Sequence, residues 1–170
     1  METLLERFLR YVKIDTQSDE DSSVHPSTPG QMELARLLEK ELRELGLRNI
    51  RLSDKAYLMA ELPANTDKKL PTVGFIAHLD TSPDVSGKNV RPLIFSNYDG
   101  SDLVLNQAEN IVMQVQDFPE LKEYTGQTVI TSDGTTLLGA DDKAGIAAIM
   151  TALSQLQNHP DIKHGRIVVA

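Results

Sequence analysis

The chain has 170 residues, a formal net charge of −8 and no cysteine. The acidic balance argues against nucleic acid as a main partner, because phosphate binding needs a basic surface. Without cysteine there is neither a disulfide framework nor a thiolate zinc site, so any transition-metal site must be built from His, Asp and Glu. With 40% hydrophobic and 25% charged residues, the composition is that of an ordinary globular domain with a core of its own.

In chain order, Leu4, Leu5, Phe8, Leu9 and Val12 recur at helical spacing and predict a first helix with one buried stripe. Glu2, Glu6, Arg7 and Arg10 interrupt these leucines. The segment is therefore no signal peptide, and no apolar run is long enough to span a membrane, so a cytoplasmic location is the default expectation. A loop rich in Ser, Asp and Pro runs from Asp15 to Pro29. A second helix is expected to start with Thr28 as cap, Pro29 in the first turn and Gln31 completing a capping box, and to end at Gly46. Its buried face would be Leu34, Leu37, Leu38, Leu42 and Leu45.

Half-buried strands are expected over Ile50–Leu52 and Leu58–Leu62, where apolar and polar residues alternate. The nearly continuous apolar run Thr72–Ala77 predicts a central strand covered on both faces. Short strands are expected over Val90–Phe95 and Leu103–Leu105. Thr128–Thr131 and Thr135–Leu138 flank Asp133-Gly134 and suggest a hairpin. A third helix follows, with Ile146, Ile149, Met150, Leu153 and Leu156 on one face, and then a strand over Arg166–Ala170. Strands alternating with amphipathic helices predict an α/β fold, a mostly parallel mixed sheet sandwiched by helices, with ligands beyond the carboxyl ends of the strands. The chain stops inside an apolar run, which suggests a fragment of a longer protein. A sheet edge left unpaired would then let it self-associate.

Two short segments carry candidate chemistry. His78-Leu79-Asp80 follows the apolar strand, and residues two apart on a strand point the same way. Such a pair offers an imidazole metal ligand with a carboxylate to orient it; it equally suits a histidine satisfied by a carbonyl and an aspartate capping the loop at Ser82. Gly139-Ala140-Asp141-Asp142-Lys143-Ala144-Gly145 sets adjacent carboxylates before a helix. Adjacent anions in a tight turn need a cation or a helix N-terminus to offset them. One of them bridging two metals is one reading; a helix cap beside a solvated aspartate is the other. A phosphate loop is excluded because Lys143 precedes Ala144 rather than Ser or Thr, and a calcium loop because the acidic spacing after Asp133 is wrong. His25, His159 and His164 suit surface or capping roles.

Taken together, the segments 78–84 and 139–145 resemble peptidase T, an aminotripeptidase of the cocatalytic zinc peptidases that also include carboxypeptidase G and succinyl-diaminopimelate desuccinylase. Leu4–Phe8, Asp15–Ser18, Leu62–Asn65, Ser86–Val90 and Ile149–Leu153 carry the resemblance along the rest of the chain. It implies that residues 1–170 are the N-terminal segment of the catalytic zinc-peptidase domain. By position, His78 corresponds to a ligand of one zinc, Asp141 to the carboxylate bridging both zincs, and Asp80 to the catalytic aspartate that orients His78. A cis peptide is implied at Asp141-Asp142. The family's Glu-Glu pair, a further Asp, a C-terminal His and a lid or dimerisation domain lie beyond Ala170. The implied activity is two-zinc-assisted removal of the N-terminal residue from unblocked tripeptides, with this segment inactive by itself. The alternatives are a related two-zinc hydrolase of N-acyl amino acids or dipeptides, and a non-catalytic α/β module.

Overall fold

A computed structural model describes residues 2–170, which divide into two compact units. The first comprises the residues up to Asp84 together with Gly139–Ala170; the second is Val85–Leu138.

The first unit carries helices α1 (Leu4–Tyr11), α2 (Pro29–Glu44) and α3 (Ala140–Asn158) and the strands β1 (Arg48–Leu52), β2 (Leu58–Leu62), β3 (Val73–Phe75) and β8 (Ile167–Val169). The strands form one mixed sheet in the order β1-β2-β8-β3, so the α/β reading holds. The expected mostly parallel arrangement is not found: only β3 and β8 run parallel, while β1–β2 and β2–β8 are antiparallel. The connection from β1 to β2 is short, which permits only an antiparallel pair, whereas the long crossover containing α3 brings β8 back alongside β3 in the same direction. Helix α2 packs on β1 and β2, and α1 packs on α3. Phe8, Val12, Leu34, Leu38, Leu42, Ile146, Met150 and Leu153 are buried, as apolar residues at helical spacing should be.

Other details of the first unit also depart from the sequence expectations. The buried stripe of α1 is rotated: Leu4 is exposed, while Arg7 and Tyr11 are buried with Phe8. Burial of the arginine is possible because Glu41 of α2 accepts from Arg7 Nη1, from Arg10 Nη1 at 2.6 Å and from Tyr11 OH at 2.7 Å. The capping box lies not at Thr28 but at Thr3, whose side chain accepts from Glu6 N while Glu6 accepts from Thr3 N. Thr28 instead donates to Gln17 O at 2.8 Å, and Gln31 donates to Ser27. Finally, β3 is an edge strand and all three of its residues are exposed. Apolar composition registers what a strand needs covered, and among the described residues only β8 lies beside it.

The second unit holds β4 (Leu93–Phe95), β5 (Leu103–Asn106), β6 (Ile111–Met113), a 3-10 turn at Pro119–Tyr124 and β7 (Val129–Thr131). Tyr98, Leu103 and Leu121 form its small core. The hairpin expected around Asp133-Gly134 does not form, because β7 pairs with β4 instead. Ser132 and Asp133 satisfy the turn locally: Ser132 Oγ donates to Thr136 O, and Thr135 N donates to Asp133 Oδ1. Among the described residues, no helix is long and apolar enough to cross a membrane.

Candidate functional site

The parallel pairing of β3 with β8 continues to the residue before His78. Ala170 N donates to Phe75 O at 3.0 Å, and Ala77 N donates to Ala170 O at 3.1 Å. His78 therefore leaves the sheet at the carboxyl end of β3. The start of α3 reaches the same end. Gly139 supplies the N-cap with φ of 75°, a left-handed conformation open to glycine, and a Cβ there would sit 3.2 Å from Thr81 Cγ2. After Ala140, Asp141 and Asp142 are joined by a cis peptide bond and have non-helical angles.

These two segments bring His78, Asp80 and Asp141 together. His78 Nδ1 lies 2.9 Å from Asp80 O and 3.2 Å from Asp80 Oδ1, and His78 Nε2 lies 2.9 Å from Asp141 Oδ1. If Nδ1 carries the proton that Asp80 accepts, Nε2 turns a lone pair toward a carboxylate. Two acceptors approach that closely only with a proton or a cation between them. Partial burial disfavours the charged imidazole, but the hydrogen bond to Asp141 and the charge of Asp80 outweigh it, and the His78 pKa is raised. The Asp141 side chain is 94% exposed, so the site opens to solvent.

The simpler role of His78, a ring satisfied by a backbone carbonyl, is met at Asp80 O, which is nearer to Nδ1 than the Asp80 carboxylate. Ser82 Oγ donates to Asp84 at 2.7 Å rather than to Asp80. Asp141 and Asp142 both have non-helical angles and the regular turns of α3 begin only after them, so a capping role for Asp142 is compatible with the structure. The other histidines lie apart from the His78–Asp141 pair. His159 is the C-cap of α3, and His164 Nδ1 faces Gly165 O. His25 is exposed and lines a cavity of about 560 Å³ that also reaches His78 and Asp80, with Leu38, Ile76, Ile146 and Met150 on its apolar walls.

Imidazole nitrogen and carboxylate oxygen are the donor types that zinc accepts without thiolates, and ligands of one tetrahedral zinc lie about 3.3 Å apart. The His78–Asp141 pair offers two such donors, and its 2.9 Å separation, a hydrogen-bond distance, would have to widen to admit an ion. The set is incomplete, because among the described residues no group of three or more His, Asp or Glu side chains converges.

Lys143 directly follows the two aspartates. It is 2% exposed, and its Nζ donates to Ile14 O at 2.7 Å. Burial pushes its ammonium down to about 8, against the opposing charge of Asp15. The available signal was a lysine among small residues directly after two aspartates, a position where a solvated side chain is the default assumption.

No protein-family model matches the chain. Among individual proteins, it is 58% identical to Peptidase T of Clostridium novyi (strain NT) over 170 residues, covering 100% of this chain and 42% of that protein. It is also 58% identical over 169 residues to Peptidase T of Listeria monocytogenes serotype 4a (strain HCC23), covering 99% of this chain and 41% of that one. The chain is similar to peptidase T from end to end. It spans about two-fifths of the length of these peptidase T relatives. A crystal structure of a tripeptidase from Staphylococcus aureus subsp. aureus mu50 superposes with a TM-score of 0.59 at 25% identity, over 98% of this chain and 34% of that one. The peptidase T likeness includes both segments that meet at His78 and Asp141, since the match to the Clostridium protein runs over all 170 residues.

Proposed function

We propose that this chain is the N-terminal segment of the catalytic domain of a metal-dependent aminopeptidase that removes the N-terminal residue from tripeptides. The remainder of that domain, and a lid or dimerisation domain, would follow Ala170. One observation carries the reading: His78 directs Nε2 at Asp141 while Asp80 holds its other nitrogen, in a chain matched from end to end by peptidase T. His78 and Asp141 would hold metal, with Asp141 shared between two zinc ions. Asp80 fixes the ring plane of His78 and keeps the proton on Nδ1, so that Nε2 remains available as a ligand.

Bound zinc would supply Lewis-acid polarisation of the scissile carbonyl and a readily deprotonated water. The chain's own residues prepare the position where this happens. The exposed Asp141 carboxylate leaves room for a substrate, and the carboxyl end of β3 holds His78 at the rim of the apolar cavity. The general base and the remaining ligands would come from sequence after Ala170, so residues 1–170 by themselves are expected to be inactive. Zinc and an intracellular, cytoplasmic enzyme acting on small peptides are parts of the same proposal.

The test is release of the N-terminal residue from a free tripeptide by the full-length protein, with and without chelator, alongside purified residues 1–170. Expected are two zinc ions per full-length chain, activity abolished by the chelator, and no turnover by residues 1–170. Chelator-resistant hydrolysis would remove the metal from the reading. Turnover of N-acyl amino acids in place of free tripeptides would move the protein to the related hydrolases. No hydrolysis and no zinc would leave a non-catalytic α/β module.

A further inference from the structure

We infer that Lys143 is a positioning residue of the candidate site, a buried strut that sets Asp141 relative to His78. The inference rests on the metal-site reading above and adds to it a residue that touches neither ligand through its ammonium.

The argument is one of connectivity. Among the described residues, the segment 78–83 and the segment 139–143 share one hydrogen bond, the His78–Asp141 contact itself. A single side-chain bond between two exposed groups cannot fix a geometry that both groups need, because each can rotate away into solvent. The β3–β8 pairing and the packing of α3 on α1 bring the two segments near each other, and the stretch 14–18 adds a local tie held by both. Toward the His78 segment it is tied four times. Thr81 N donates to Thr16 O at 3.1 Å, and Ser18 N donates to Thr81 O at 2.9 Å. Ser18 Oγ donates to Thr81 O at 3.0 Å, and Gln17 Nε2 donates to Pro83 O at 2.7 Å. Toward the Asp141 segment it is tied by one hydrogen bond, Lys143 Nζ to Ile14 O at 2.7 Å. The donor is buried and the acceptor half-buried, so water competes for that bond less than at the surface.

Among the described residues, Lys143 thus makes the single hydrogen bond between the α3 start and the 14–18 strap that holds the His78 segment. Its stem fills a tight space: a Cβ at Gly139 would meet Lys143 Nζ at 3.6 Å and Thr81 Cγ2 at 3.2 Å. Lys143 stands two residues after Asp141 in the chain.

The test uses the full-length protein with Lys143→Met, which keeps most of the volume and removes the charge, Lys143→Gln as a second variant, and His78→Ala as reference. Zinc affinity is measured by competition with a chromophoric chelator, and ligand geometry by the visible spectrum of the cobalt(II)-loaded protein. We expect Lys143→Met to bind zinc about 10- to 100-fold more weakly, as loss of a ligand-orienting partner does, and to show an altered cobalt spectrum, with far-ultraviolet circular dichroism unchanged. A folded variant with zinc affinity within twofold of the parent and the parent's cobalt spectrum overturns the inference. Failure of both Lys143 variants to fold also overturns it, by making the lysine a requirement of the fold. If the parent binds zinc no better than His78→Ala, the metal site itself is refuted, whatever Lys143 does.

Discussion

Replacing Glu41 with leucine removes the counter-charge of a buried arginine and tests what holds α1 to α2. Arg7 is 5% exposed, and the Glu41 carboxylate accepts from Arg7, from Arg10 at 2.6 Å and from Tyr11 OH at 2.7 Å. The remaining acid near Arg7 is Glu2, 3.6 Å from Nη2 and partly exposed, too distant to replace those bonds. Breaking a buried ion pair from one side costs about 3–5 kcal/mol, because the surviving charge stays desolvated. That is a large part of the roughly 5–15 kcal/mol of a typical domain. With a urea slope of about 2 kcal/mol per molar, the unfolding midpoint of residues 1–170 should fall by about 1.5–2.5 M, read by circular dichroism. Glu39→Ala, which breaks the exposed pair with Arg43, is the control and should cost under about 1 kcal/mol. Combining Glu41→Leu with Arg7→Met and Tyr11→Phe should recover most of the loss, since an apolar replacement leaves no orphaned charge. A Glu41→Leu midpoint within experimental error of the parent would refute the reasoning, because it would mean that Arg7 finds water or another acid at no cost. The consequence for the site is direct: α1 leads into the 14–18 strap, and a loosened α1 loosens what positions His78.

Gly30→Ala should destabilise the chain by about 1–3 kcal/mol or more, because its Cβ would sit 1.7 Å from the backbone carbonyl of Asp15, which cannot swing aside as a side-chain tip can; an unchanged melting temperature would contradict this. Asp80→Asn in the full-length protein should weaken zinc binding about 10- to 100-fold by releasing the His78 ring, and unaltered affinity in a chelator competition would count against an orienting role. Glu61 should make stability depend on acid. The hydrogen bond from Arg166, and then that from Asn49, lower its pKa from 4.5 to about 2. A depressed carboxyl pKa contributes stability above the unfolded value and loses it as pH falls through the folded one. The melting temperature should therefore drop between about pH 4.5 and 2, and Glu61→Gln should show a shallower drop across that window.

Much of the local structure was legible because it is governed by periodicity. Leu34, Leu38 and Leu42 on α2, and Ile146, Met150 and Leu153 on α3, are buried at the spacing the sequence displays, and Leu58–Leu62 is a strand with the expected limits. The α/β class followed from the same alternation. Features that depend on a distant partner were not legible. Arg7 reads as a charge off the buried stripe until Glu41, thirty-four residues away, is folded against it and Tyr11. Asp133-Gly134 reads as a hairpin until β4 is available to take β7 as its partner. Thr72–Ala77 reads as covered on both faces because composition registers a need for burial, and among the described residues β3 is an exposed edge.

The site divides along the same line. By itself the sequence determined two candidate segments, each with a simpler alternative of its own, and the likeness to peptidase T that joined them. Tertiary structure decided that His78 Nε2 and Asp141 Oδ1 stand 2.9 Å apart, across sixty-three residues, with Asp80 behind the ring. It also decided that a lysine with no apparent task is buried against Ile14 O. The physical reason is that side-chain type and spacing act over one turn or one strand. Distances between segments are set by the parallel pairing of β3 with β8 and by the strap at residues 14–18, and neither leaves a trace in local composition.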